Sequence, residues 1–312
     1  MRSYFITLAA AAAITVFATS FASWVLDPYA ISHVLAGKVW WGVNERASKI
    51  GFLAKHCPQF SSYIVGNSRA LILSGEELAG AAGDQYYNLG ISSDDIGHSL
   101  KRLEFMFRSG CPISRLLVAE SIDFFARGNP DSLWQIEHPL VSGSNSLVFY
   151  GKYFLGPHGM FAYLRARARA DSSARAAFYH PDGHADYLWE MRNDADFSIP
   201  FCEMSSLSAE SKEALFERLP QYRRLAALAN EHHAKVVVWL TPLSKARSTT
   251  LDDPDVDRYI HELRQIPGLA VFEADRKSPL LSDFHQWHDC SHFHRALFDQ
   301  LVAPGVAGLL RQ

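Results

Sequence analysis

Paired cysteines are missing from this chain: of its four cysteines, Cys57, Cys111, Cys202 and Cys290, no two form a CxxC pair. That spacing excludes a zinc ribbon or a thioredoxin-like redox motif. In an oxidising compartment it permits two disulfides with three possible connectivities, and four free thiols are equally compatible with it. Basic blocks are also scarce. Beyond the short Arg165, Arg167, Arg169 run there is none, and the formal net charge is -3, so nucleic acid has no electrostatic footprint to bind. No internal repeat occurs, and no low-complexity linker beyond the Ala-rich start. With 48% hydrophobic and 20% charged residues, wholesale disorder is excluded and a sizeable core is affordable.

Charge is absent altogether from Ser3 to Leu26. A helix over these residues, at about 1.5 Å per residue, reaches roughly 36 Å against about 30 Å of hydrocarbon. A helix lying on the core of a soluble domain would carry a polar stripe on its outer face, and this run has none and sits at the extreme terminus, which argues against a core helix. Arg2 and the terminal amine form a small positive flank, and Asp27 and Pro28 end the run. The segment 1–26 therefore reads as a signal-anchor or a cleavable export signal, which places the rest of the chain outside the cytoplasm. The expected localisation is the cell envelope, either held in the inner membrane through residues 3–26 or released to the periplasm.

Beyond residue 26, strand and helix patterns alternate. Residues 27–57 read as a helical lead-in. FSSYIVG (60–66) is the first convincing strand and runs directly into a helical spacing of Ala70, Leu71, Leu73 and Leu78. DQYYNLGISS (84–93), part of CPISRLLVAESIDFF (111–125) and KVVVWLTPL (235–243) are further strands, with helices expected around 94–108, 205–230 and 253–265. This order predicts an α/β fold: a three-layer α/β/α sandwich on a mostly parallel sheet, with chemistry on loops at the carboxyl ends of the strands. One domain is expected over 27–312, with an insertion or cap at about 129–201 that is rich in Gly, Pro, Ser and aromatics.

The residues suited to chemistry lie at two distant places. Ser68 sits in VGNSRA between a strand and a helix, where its hydroxyl is exposed and free helix-start N–H groups can stabilise an oxyanion. A helix N-cap serine gives the same local pattern. In HQWHDCSHFHRALFDQL, Asp289 and His292 are three residues apart, spaced so that a carboxylate can fix an imidazole that deprotonates a serine. The same segment offers metal-ligand types in Asp283, His285, His288, Asp289, Cys290, His292 and His294, which keeps a metal-dependent hydrolase open as an alternative. Cys290 is a second, weaker nucleophile candidate.

VGNSRA, YYNLGISS and DCSH resemble the first, second and last blocks of the SGNH, or GDSL-like, hydrolases. The resemblance implies Ser68 as nucleophile, Asp289 and His292 as the rest of its triad, and the N–H groups of Ser68 and Gly90 as oxyanion donors. Asn67 stands where the family has Asp, and Asn88 belongs to the second block. Asn67, Arg69 and Asn88 are candidate substrate contacts, though a helix-surface position is the simpler account of Arg69. The family's Gly-x-Asn-Asp block is missing: AESIDFF (119–125) stands there, with Asp123 as a candidate remnant.

Within that superfamily the single apolar N-terminal segment, the GxSR block, NLG and the Asp-x-x-His-Phe ending are similar to envelope proteins of the D-alanyl transfer and alginate O-acetylation type. This implies a serine esterase or O-acyltransferase acting on an envelope glycan and an acyl donor, with a multispanning membrane acyltransferase as a partner and with neither cofactor nor metal. A non-catalytic glycan-binding or scaffolding subunit is the other alternative. Lys152, His158, His180, Asp182, His184 and Trp189 are candidates for lining a carbohydrate cleft. Arg165, Arg167 and Arg169 are expected to cover a solvated helix or strand edge, with lipid headgroups or an acidic polymer as the alternative contact if the domain lies close to the bilayer. Trp239 is expected in the core, and His232 and His233 at a helix end or loop.

Overall fold

A computed structural model describes residues 2–27, 29–31, 35–40, 42–123, 133–155, 161, 164–165, 168, 176–187, 207–245, 247, 252–288 and 292–311. Cys202, Cys290, Asp289, His158, Trp189, Arg167 and Arg169 lie outside the described residues. The chain divides into two compact units, Met1–Lys55 with Gly128–Tyr179, and His56–Arg127 with His180–Gln312.

The first unit begins with helix α1 (Arg2–Leu26), long and apolar enough to cross a membrane. Its large apolar side chains, Phe5, Ile6, Ile14, Phe17 and Trp24 among them, are exposed. The end of α1 belongs to the folded unit, however: Ser23 and Asp27 are buried, and Asp27 Oδ1 accepts the N–H of Ile31. The lead-in is not one helix. A short strand β1 (Lys38–Trp40) precedes helix α2 (Glu45–His56) and pairs antiparallel with a later strand, β5 (Ala177–Tyr179). Asn44 fixes this unit by donating its side-chain N–H groups to Leu133 O, Ile136 O and Tyr153 OH. Around it, helix α6 (Pro139–Ser142) is followed by α7 (Ser146–Phe154), which supplies Phe149 and Tyr153 to a small core with Ile31 and Ala47.

The second unit is an α/β sandwich. Five apolar runs form β2 (Ser62–Gly66), β3 (Tyr86–Gly90), β4 (Arg115–Glu120), β7 (Lys235–Leu240) and β8 (Leu269–Glu273), all parallel, in the order β3-β2-β4-β7-β8. Side chains alternate across a strand, and both faces here are apolar, as a sheet covered on both sides requires. Ile64, Leu117, Val237 and Trp239 share one core with the last two helices, α11 (Arg295–Leu301) and α12 (Ala303–Arg311). Their neighbours Tyr63, Val65, Leu116, Val118, Val236 and Val238 are equally buried. On that second face pack α5 (Ile96–Arg108), α9 (Leu219–Glu231) and α10 (Pro254–Arg264). Trp239 lies edge-on to Phe293 and Phe298, in the core as its sequence context indicated.

Local chemistry explains the element boundaries. Helix α10 starts where the Asp253 side chain accepts from Asp255 N and Pro254 occupies the first turn, and it buries Val256, Tyr259, Ile260 and Leu263 at helical spacing. The helix expected over 205–230 is two, α8 (Ala209–Phe216) and α9, because Pro220 belongs in a first turn, where its missing N–H is harmless. The helix after Ser68 is likewise divided, into α3 (Ser68–Leu71) and α4 (Gly75–Ala82), the latter capped by Ser74. Edge strand β8 was not read from the sequence, since LAVFE is short and only half-buried. The remaining short strand, β6 (Ala185–Tyr187), comes after a tight turn over His180–His184.

Of the cysteine connectivities, the structure contains Cys57–Cys111. His232 caps the end of α9 and stacks on Phe107, and His233 comes next in a left-handed conformation with φ 56°. Glu120, at the end of β4, is enclosed on the α9 and α10 face, where it accepts from Arg218, from Tyr222 OH at 2.7 Å and from Tyr259 OH at 3.1 Å.

Candidate functional site

The strand order creates a place for a site. From β2 the chain goes first to β3 on one side and then to β4 on the other, so the crevice at the carboxyl end of β2 has no crossover connection closing it. Ser68 stands there. Gly66 turns the chain out of β2 with φ 143°, and a Cβ at that position would lie 2.8 Å from both Cβ and O of Ala119. Only glycine lets β2 and β4 approach this closely at such a φ. Asn67 then caps α3, its Oδ1 accepting Arg69 N at 3.0 Å. The N–H of Ser68, at the first position of that helix, has no acceptor among the described residues.

His292 arrives from the far end of the chain on a pinched loop. Trp287 and Phe293 form an antiparallel bridge, His288 N donates to His292 O at 2.7 Å, and His294 N donates to Gln286 O at 2.7 Å. Both bridge residues are sunk in the core beside Trp239, so apolar packing fixes the base of the loop. The result is Ser68 Oγ 2.8 Å from His292 Nε2, with both residues half-buried and therefore reachable. For the hydroxyl to donate, Nε2 must carry the lone pair and Nδ1 the proton. Asp289, the expected acceptor of that proton, lies outside the described residues.

Behind the serine is an ion cluster that sequence reasoning placed differently. Arg69 is not on a helix surface: it is 4% exposed, its Nη1 and Nη2 lie 2.6 and 2.8 Å from the two carboxylate oxygens of Asp123, and Nη1 also donates to Thr241 Oγ1 at 3.0 Å. Arg247 Nη1 joins the same carboxylate at 2.6 Å. Burial raises the pKa of Asp123, but Arg69 and then Arg247 outweigh it and hold the group down at about 2. Asp123 is thus the ionised anchor of two arginines rather than a remnant oxyanion donor. Ser121 completes the array, bonded to Asn67 Nδ2 at 2.8 Å and to Thr241 Oγ1 at 3.0 Å. Ser121, Thr241 and Arg247 were missed in the sequence, although Ser121 and Thr241 directly follow strands whose carboxyl ends are where sites form.

The second block also needs correction. Gly90 N donates to Asn88 Oδ1 at 2.7 Å, so it is engaged inside the turn rather than offered to an oxyanion. Asn88 is fully buried and its Nδ2 serves the carbonyls of Ala70, Leu71 and Leu73, which leaves no face for substrate. It ties the end of β3 to the segment behind Ser68. Asn67, also buried and bonded through both amide atoms, positions the serine rather than contacting a substrate.

Of the residues proposed to line a cleft, Lys152 is exposed in the last turn of α7. His180, Asp182 and His184 belong to the turn before β6 and are bonded within it: His180 Nε2 lies 2.7 Å from Asp186 Oδ2, and His184 Nδ1 pairs with Asp182 Oδ1. Among the described residues, the metal-ligand types that converge are His180, His184 and Asp186, and the His-rich C-terminal segment has no such group.

No family model matches the sequence, and there is no significant match among curated proteins. Among solved structures the chain is similar to an acetyl xylan esterase (Est2A) from the rumen bacterium Butyrivibrio proteoclasticus. Identity is 11% and the TM-score 0.36, over 81% of this chain and 64% of that one. The chain therefore spans less than two-thirds of that structure's length.

Proposed function

We propose that this protein is a serine-dependent esterase or O-acyltransferase acting on an envelope glycan, with Ser68 as nucleophile, His292 as base and Asp289 as the residue orienting that base. The observation that carries the reading is the 2.8 Å contact between Ser68 Oγ and His292 Nε2, made across 224 residues of sequence at the carboxyl end of a parallel sheet. A serine is a weak nucleophile unless a base takes its proton, and this pair supplies one. Ser68 Oγ attacks the acyl carbonyl as its proton passes to Nε2, and the oxyanion forms against the Ser68 N–H. His292 then returns the proton to the leaving oxygen, and water or a sugar hydroxyl resolves the acyl-enzyme. The anchor is α1 in the inner membrane, where a multispanning acyltransferase would deliver the acyl group. Neither cofactor nor nucleic acid enters the scheme.

Intact-mass analysis after incubation with an activated acetyl ester tests it. The wild type gains a transient adduct of one acetyl group, and S68A gains none. A second reading, glycan binding or scaffolding without catalysis, draws on the engagement of Gly90 N by Asn88, which leaves one fewer oxyanion donor. Folded protein that forms no adduct and turns over no ester would decide for that second reading.

A further inference from the structure

The segment HPDGHAD, from His180 to Asp186, is built more tightly than a surface turn needs. His180 N donates to His184 O at 2.9 Å and Gly183 N to His180 O at 3.0 Å, which closes the turn on itself. Gly183, at φ 85°, is pressed against β3, and a Cβ there would lie 2.4 Å from Asn88 O. Asp182 bolts the turn down: its carbonyl accepts Asn88 N at 2.6 Å, and its Oδ2 accepts Gly75 N at 2.7 Å. Position 184 and position 186 project to the same side as the chain enters β6, and the closed turn lays the His180 ring flat on that of His184, with centroids 3.9 Å apart.

This geometry brings three ligand-type atoms together. His180 Nε2 is 2.7 Å and His184 Nε2 4.0 Å from the two oxygens of Asp186. One ligand atom from each of the three residues lies within 4.8 Å of the others. The Asp182 carboxylate accepts a hydrogen bond from the Nδ1–H of His184, so the lone pair of a neutral His184 is on Nε2, on the side of Asp186. A carboxylate behind an imidazole is the usual support of a metal-bound histidine. The neighbouring cation Arg295 is engaged by Glu77, its Nε 2.9 Å from Oε2, and its Nη1 comes no nearer than 4.0 Å to Asp186 Oδ1. His184 is nearly enclosed, while His180 and Asp186 are a quarter exposed or more, which leaves an approach for an ion.

We propose that His180, His184 and Asp186 bind one divalent first-row transition metal ion, for which zinc is the natural probe, with Asp182 as a positioning residue. Two imidazoles and one carboxylate suit such an ion and leave coordination positions for water. The ion staples the two arms of a turn that is already tied to β3, and the proposal does not depend on the reaction assigned to Ser68. Full-length protein in detergent, stripped with EDTA and dialysed, is titrated with zinc chloride by calorimetry, with thermal unfolding followed in parallel. One equivalent is expected to bind and to raise the unfolding midpoint. H180A and D186N, at partly exposed positions, are expected to weaken binding at least about tenfold while keeping the metal-free circular dichroism spectrum. D182N should still take one equivalent, about 10- to 100-fold more weakly. H285A/H288A, in the His-rich C-terminal segment, should bind as the wild type does. Absence of one-to-one binding, wild-type affinity in H180A, or loss of binding in H285A/H288A would overturn the proposal.

Discussion

Asp123 is held by two guanidinium groups in a setting where an uncompensated charge is expensive. Replacing it with Asn leaves Arg69 and Arg247 facing a neutral amide, and removing one partner of a buried pair costs about 3–5 kcal/mol. D123N should therefore lower stability by that amount in denaturant titrations. Because Arg69 directly follows Ser68, the same variant should also slow acylation without altering the Ser68 side chain. The pH dependence has a definite sign. The folded pKa of about 2 lies below the ordinary carboxylate value of 3.8, so the stabilisation is complete above pH 4 and is lost as pH falls toward 2. A shift of this size corresponds to about 2 kcal/mol. Urea titrations between pH 5 and pH 2.5 should show wild type losing most of that increment over and above whatever D123N loses across the same range.

Among the elements, the disulfide and the sheet are separable in function. Cys57 precedes β2 and Cys111 precedes β4, so the bridge fastens the amino ends of these strands, at the opposite pole of the sheet from Ser68. The two cysteines are 54 residues apart, and a cross-link of that span stabilises by about 4 kcal/mol in the chain-entropy account. C57A/C111A should lose about that much stability in denaturant while the remaining folded fraction keeps its specific acylation rate. The bridge also shows where sequence reading stops. Spacing alone allowed three pairings, because which cysteines meet depends on which strands become neighbours. Four of the five sheet strands and the amphipathic helices α5 and α10 were legible, since apolar runs and periodicity are local signals. So were Ser68 and His292, through the residues flanking them. The Arg69–Asp123–Arg247 array was not legible, because it joins three loops whose proximity exists only after β2, β4 and β7 align. The engagement of Gly90 by Asn88 was hidden for another reason: an amide side chain turning back on its own strand looks the same in sequence as one facing outward.

For the molecule as a whole, the junction after α1 bears on localisation. Ser23 and Asp27 are buried within the first unit, and α1 packs against α7. Cleavage within the segment 1–26 would remove a helix that the unit uses, which favours retention as an anchor. The expected outcome is that the chain stays with membranes after alkaline carbonate washing and that mass spectrometry finds its N-terminal segment intact. A soluble product lacking that segment would contradict this. Non-reducing digests of the same material should contain the peptides of Cys57 and Cys111 joined, as an oxidising compartment requires.

The distance between Ser68 and His292 along the chain also sets an order of events. Synthesis from the amino end makes Ser68 long before His292, and the imidazole reaches the hydroxyl only when the bridged pair Trp287 and Phe293 packs into the core with Trp239. Until then the 2.8 Å contact between Ser68 Oγ and His292 Nε2 does not exist. Under the proposed mechanism, a chain shortened by its last few dozen residues would carry Ser68 without its base and should form no acyl adduct.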